Sequence, residues 1–425
     1  MSLCLAACGG EAVPPDGDAG APPARLHDGA EVSYAVVYEA VERSLGFAGT
    51  RPWIPVDVAP HPAGELWVVQ RLARDPAFDD ESECTSRGLL GGANDCASLE
   101  GSTVAIREPR AAEPATDAAG RANLVVDANA WHFMRRPSAI AFGARELRLE
   151  PSDPGADGAN LTETAVFTDT FATCHEHWTA NPTDQLPFIG PTLWTSDPAI
   201  YNGVNGSFEW SNGSHLDMVH ATQYCMGIAY ERDNVYWTLN GPEGTLDRYD
   251  FAAPHFPGHH DHDDGDVTRF YLRGGATIAR RPEVPSNVVI AGADLYVADT
   301  GNGRVLHIDV RAPATEFGTF RTHEGYEATA MEDLPFDIVL DSEALRAAWG
   351  GAEVEPSGLA LLDADTLVVA NHASGHISLF TRAGAHLRTL DTGTGRGIGG
   401  LTVLDGVVYF VQMQARRVLR IDVRG

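Results

Sequence analysis

The chain has no lysine: all 30 cationic side chains are arginine, set against 59 aspartates and glutamates in 425 residues. A formal net charge of −29 excludes a nucleic-acid binder, because phosphate recognition needs a basic footprint. Past the first residues there is no apolar run long enough to cross a bilayer. Three catalytic signatures are missing as well: the Gly-x-Ser-x-Gly elbow, a phosphate-cradling loop and the His-Glu-x-x-His zinc helix. The glycine-rich stretch Gly393–Gly400 leads into a strand pattern rather than a helix. A dinucleotide fingerprint therefore lacks its context, and tight packing is the simpler cause. Cysteine is scarce, with 6 in the chain.

Short β-branched runs are plentiful. Between Val284 and Asp309 three of them (Asn287–Ile290, Leu295–Ala298, Arg304–Ile308) are separated by Ala-Gly-Ala-Asp and Asp-Thr-Gly-Asn-Gly. Such runs bounded by turn residues read as an antiparallel meander, with glycine supplying the positive φ of the turns. The unit recurs at Ile398–Asp422, Glu355–Phe380 and Met226–Asp250. Weaker copies run from Val56 to Gln70, continued by Ser102–Ile106, and from Arg136 to Phe142, continued by Thr170–Cys174. The unit resembles an NHL repeat, one blade of a β-propeller. Repetition of this kind outranks any single motif as a fold signal, and six copies imply an all-β, six-bladed β-propeller.

Blade one is expected at 52–130, blade two at 131–212, blade three at 213–273 and blade four at 284–325, with blades five and six completing the chain. Loop insertions are expected, among them 144–165 in blade two. Asp341–Trp349 has a helical start and spacing, and the insertion 326–352 around it is expected to overhang the ligand face as a partial lid. Blade six stops after its third strand, an open edge that invites aggregation. The segment 31–42, whose periodicity fits strand or helix, is assigned to pair there and close the ring, making 31–425 one domain.

Ahead of it, Leu5-Ala-Ala-Cys8 resembles a bacterial lipobox, although the basic and most of the apolar part of a signal peptide are missing. Residues 9–30 have the composition of a tether. The resemblance implies an exported cell-envelope lipoprotein, touching the membrane only through a lipid on Cys8. Export favours disulfides. Cys84 and Cys96 share one loop, which makes local pairing natural. Placed on the repeat, Cys174 ends a second strand and Cys225 precedes a first strand on the same face, so a 174–225 bridge is sensible. Buried thiols or metal ligands are the alternative.

In propellers, the turns joining second to third strands and fourth to next first strands share one face, around the axial opening. The repeat places Arg71, Arg136, Asn240, Asp299, Asn371 and Gln412 there as substrate contacts. It places His175, His215, His220 and His372 there as candidate metal ligands, since neutral imidazole is the commonest ligand for zinc and copper. A second, weaker candidate is the run His259, His260, His262 and Asp264, whose carboxylates suit calcium and whose imidazoles suit zinc or copper. The repeat puts that run on the opposite face, and a solvated charged hairpin is its plainer reading.

Among NHL propellers the chain is similar to the peptidyl-hydroxyglycine amidating lyase, which holds a catalytic zinc at the axial opening with histidines from separate blades. It departs from that enzyme in lacking a histidine before each matching first strand. Two functions follow. One is an exported propeller, a monomer, that binds a small molecule, peptide or protein at the cell surface through its axial opening, with no assigned reaction. The other is a metal-dependent lyase or hydrolase with a histidine-bound divalent metal (Zn, Cu or Ca) at that opening.

Overall fold

The structure, a computed structural model, describes residues 34–44, 50–74, 100–156, 161–180, 186–204, 212–325 and 327–423, together with the backbone of 24–26 and 31–32. The proposed bridge between Cys84 and Cys96 and the lipobox at Cys8 lie outside the described residues.

Six antiparallel meanders form six blades. Their first strands are Thr50–Pro60, Pro137–Phe142, Ile228–Arg232, Val288–Ala291, Pro356–Leu361 and Ile398–Leu404. Each touches the next, and the sixth touches the first, so the ring is closed. Six hydrophobic clusters each bridge one pair of neighbouring blades; Trp67, Ile140, Phe171 and Trp194, for example, lie between blades one and two. Alternation puts one face of every strand into each of two such cores. The strand Tyr34–Glu39 pairs with Arg417–Asp422 and completes blade six, as the open edge required. Ala24–Leu26 pairs with His386–Asp391 at the edge of blade five.

Two boundaries differ from the sequence reading. Blade two takes its fourth strand from Asp217–Met218, beyond the expected limit at 212. Its third strand, Thr192–Thr195, is so short that two residues suffice to flank it. Blade four takes its fourth strand from Asp337–Leu340. Thr315–Arg321, which lies inside the expected limits of blade four, instead forms a hairpin with Glu327–Leu334, which pairs in parallel with Asp266–Leu272 on the outside of blade three. Part of the segment expected as a lid, Glu327–Leu334 and Asp337–Leu340, is thus built into sheets. The helix Ser342–Ala348 follows, capped by Asp341, whose side chain accepts the N–H groups of Glu343 and Ala344.

The axis is polar at its centre. Asp57 of blade one accepts Ile140 N–H (3.0 Å) and Asn287 Nδ2–H (3.2 Å). Asn287 Oδ1 in turn accepts Leu359 N–H (3.3 Å) and Leu401 N–H (3.1 Å). Two side chains therefore tie together five of the six first strands. Beyond them toward one face lies a cavity of about 330 Å³, lined by first-strand residues from every blade.

Candidate metal centre

Three segments meet between blades two and three. The first runs from Asn212 to His220. Asp127 fixes its start by accepting Ser214 N–H (2.9 Å) and Ser214 Oγ–H (2.6 Å) on one carboxylate oxygen. Gly213, at φ 71°, lies so close that a Cβ there would meet Asp127 Oδ1 at 1.9 Å. His215 follows immediately and stacks on Phe133, with ring centroids 3.5 Å apart.

The second segment joins the third and fourth strands of blade three. Its backbone pairs with the first: His255 N–H donates to Leu216 O and Gly258 N–H to His215 O, both at 2.9 Å. Gly258, at φ 75°, reverses the chain, so that the rings of His255 and His262 lie 5.1 Å apart. The third segment is the turn of the added hairpin. There Glu324 Oε1 accepts both the backbone N–H of His220 (2.9 Å) and its ring Nδ1–H.

One ring nitrogen from each of His215, His255 and His262 lies within 4.8 Å of the other two, and all three residues are buried. Nδ1 of His215 faces Asn212 O at 3.0 Å, and Nδ1 of His255 faces Phe256 O at 2.8 Å. A carbonyl only accepts, so those two nitrogens carry the proton and Nε2 keeps its lone pair. In all three rings Nε2 is buried without a hydrogen-bond partner among the described residues. One such orphan costs on the order of 1–3 kcal/mol; three imidazoles this close match the donor chemistry that divalent transition metals take. Burial, and then the neighbouring imidazoles, hold all three rings well below the usual histidine range, and neutral rings are the ligating form. Carbonyl oxygens behind Nδ1 are the outer partners that orient metal-binding histidines. The set suits zinc or copper and not calcium, which takes oxygen ligands.

His220, His323 and Glu324 form an adjoining group within 4.8 Å of one another, and the His220 ring is 5.4 Å from that of His262. Phe188 stacks on His220 at 4.0 Å. Asp217 is fully buried; its Oδ1 accepts Met218 N–H at 2.6 Å, while Oδ2 has no partner among the described residues. Burial, then Asp264, pushes its carboxyl well above the ordinary range.

The two histidine groups expected on opposite faces are thus brought to one crevice. His215 and His220 come from the rim set and His262 from the other. The Phe251–Gly265 connection folds back along blade two rather than hanging below blade three. His259 and His260 stay at its outer edge, and Asp264 accepts Ala253 N–H (2.9 Å), closing the loop. His175 lies nearby, pulled down to about 3 by burial and then by His177 and His220. His372 joins neither group: its Nδ1 faces Ile398 O at 2.9 Å, and its charged neighbours are Glu355, Arg396 and Arg281. His255, His323 and Glu324 escaped the sequence reading. His255 was legible in principle, seven residues before His262 across a Pro-Gly turn.

The expected substrate contacts have internal partners. Asn240 donates to Asp247 (3.1 Å). Asp299 accepts Ala279 N–H (2.8 Å) and Arg304 Nε–H (2.6 Å). Asn371 donates to Glu353 O (2.7 Å), and Gln412 to Arg396 O (3.0 Å). At the end of each second strand these side chains cap the turn. Arg71 and Arg136 meet the carboxylates of Glu176 and Glu283. The bridge between Cys174 and Cys225 is formed, with Cα atoms 5.4 Å apart.

One other pair has the look of a catalytic dyad. His61 Nε2 lies 2.9 Å from Ser196 Oγ, beside a cleft of about 550 Å³ between blades one and two. Its Nδ1 accepts Ala63 N–H (3.0 Å), however, and Ser196 Oγ–H donates to Asp169 O (2.9 Å). The histidine therefore donates to the serine instead of accepting its proton, which is the wrong tautomer for a general base.

No protein-family model matches the chain, and no curated protein matches it. Among solved structures, the β-propeller domain of Cps50 (Swd1) from Myceliophteria thermophila aligns over 94% of this chain and 100% of that one, with 9% identity and a TM-score of 0.42. Selenomethionine-substituted virginiamycin B lyase from Staphylococcus aureus aligns over 87% of this chain and 94% of that one, with 10% identity and a TM-score of 0.39.

Proposed function

We propose that the chain is a metal-dependent hydrolase or lyase, with zinc or copper held by His215, His255 and His262 in the crevice between blades two and three. Three buried histidines, each with a ring nitrogen within 4.8 Å of the other two and with an Nε2 that has no partner among the described residues, carry this reading. Three neutral ligands leave a coordination position open, and a metal bound so supplies Lewis acidity and an activated water. This chain's own groups then have definite tasks. Glu324 orients the His220 ring and leaves its Nε2 without a partner beside the cluster. The Asp217 carboxyl, whose pKa burial raises, presents Oδ2 without a partner among the described residues. Phe133 and Phe188 stack on His215 and His220 and hold those rings in place. Burial of the Cys174–Cys225 bridge supports an exported protein, and the lipobox supports an anchor on Cys8. The shared turn chemistry of the blades supports an NHL-type repeat.

Metal analysis of the full chain tests the reading. About one equivalent of zinc or copper is expected, lost in His215→Ala and His262→Ala and retained in His372→Ala. Wild-type protein that takes up neither metal on titration, while remaining folded, would remove it. A second reading, ligand binding without a reaction, is favoured by the axial cavity of about 330 Å³; it predicts that ligands protect first-strand residues and leave the histidine crevice untouched.

A further inference from the structure

The other end of the axis is filled with charge. Arg71, 2% exposed, pairs with Glu176 Oε2 (2.6 Å) and Glu283 Oε2 (2.7 Å). Arg136, 4% exposed, pairs with Glu283 Oε1 (2.8 Å). Glu283 precedes blade four and Arg71 belongs to blade one. In a ring of six these blades face each other, so the contact is made across the axis itself.

The site is built for an anion. Arg71 and Arg136 are neighbouring cations in a buried place; burial, then the Arg71 charge, lowers the Arg136 guanidinium. Two such groups need a carboxylate between them. Within this network four guanidiniums, those of Arg71, Arg74, Arg136 and Arg280, meet the two carboxylates of Glu176 and Glu283. A local cationic surplus in a chain of net charge −29 is against the general composition. Glu176 is buried and fixed by further bonds, from Arg280 and from the Glu283 backbone N–H. The Glu283 side chain is different: 48% of it is exposed. Its backbone is at φ 68°, and that of Arg136 at φ 45°, left-handed conformations that disfavour residues with a Cβ. The two arginines thus grip a carboxylate that reaches them from a strained loop and remains open to solvent.

We propose that the axial mouth is a carboxylate-recognition site which Glu283 fills from within, and that a ligand with a free carboxylate binds there by displacing Glu283 from Arg71 and Arg136. A peptide C-terminus and a small organic acid both carry the group. The site is independent of the histidine crevice.

Calorimetric titration of the full chain with acetate, acetyl-glycylglycine and acetyl-glycylglycine amide tests the proposal, using wild type, Glu283→Gln and Glu283→Ala. Removing the internal carboxylate is expected to tighten binding of the two acids at least about tenfold, with no binding of the amide. Arg74→Ala, at an exposed position, is expected to weaken acid binding several-fold in the Glu283→Gln background. Preference for the peptide acid over acetate would assign the site to chain termini; the reverse would assign it to small acids. Acids that bind no more tightly to Glu283→Gln and Glu283→Ala than to wild type, or an amide that binds as well as the acid, would overturn the proposal.

Discussion

At Asp57 a single carboxylate holds the centre of the ring, and its burial has a consequence in pH. Desolvation, only partly offset by the Ile140 and Val58 N–H groups and by Asn287, raises its pKa to about 6 from an ordinary 3.8. The folded chain then keeps a proton that the unfolded chain has lost. Stability is therefore expected to fall as pH rises from about 4 to about 6, by up to about 3 kcal/mol from this group. Urea unfolding at several pH values should show a flatter profile over that interval in Asp57→Asn; identical profiles would remove the explanation. Close packing at the same spot makes Gly400→Ala destabilising, since a Cβ would lie 1.7 Å from Asp57 Oδ1. Gly213→Ala meets both an unfavourable φ and Asp127, and is expected to cost about 1–3 kcal/mol and to weaken zinc uptake, read by competition with a chromogenic chelator. At this scale the sequence was legible in position and not in role. Asn240, Asp299, Asn371 and Gln412 stand where the repeat put them, but a polar side chain ending a second strand serves a turn as readily as a ligand.

Among the elements, the three inner strands of blades four to six could be read directly, because their alternation is strong and their turns carry glycine. The outermost strands were legible unevenly. The open edge of blade six called for the closing strand Tyr34–Glu39, which pairs there; a fourth strand otherwise buries the least surface, so its pattern is weak, and those of blades two and four lie beyond the expected limits, at Asp217–Met218 and, after a whole hairpin, at Asp337–Leu340. The crossover at 251–265 hid the site for a related reason. A repeat predicts the face on which a loop begins, whereas the backbone bonds of His255 and Gly258 to blade two decide where it goes. The closing strand offers a direct test. Val37 is 4% exposed between blades six and one. Val37→Asp buries an unpaired carboxylate and is expected to cost about 3 kcal/mol or more, seen as a lower Tm with aggregation as the Arg417–Asp422 edge opens. An unchanged Tm would mean that the strand does not close the ring.

For the molecule as a whole, the Cys174–Cys225 bridge spans 51 residues and joins blade two to the approach of blade three. Both sulfurs are buried. Cys174→Ala with Cys225→Ala is expected to lose about 2–4 kcal/mol. In the native protein a thiol reagent should find this pair unreactive to dithiothreitol until urea opens the fold. Titratable thiols from these two positions under native conditions would contradict that burial. Reading the repeats was enough to place this bridge, since both cysteines fall on strand ends whose geometry every blade shares.

The enclosure of the histidines also sets a clock. His215, His255 and His262 are 0%, 0% and 7% exposed, so on the proposed reading substrate and chelator alike would reach an ion held there only when the chain around it opens. Departure must wait for the 251–265 loop or the Thr322–Gly325 turn to lift. Stripping by EDTA should then proceed at a rate that stops increasing with chelator concentration, levelling off at the frequency with which that door opens.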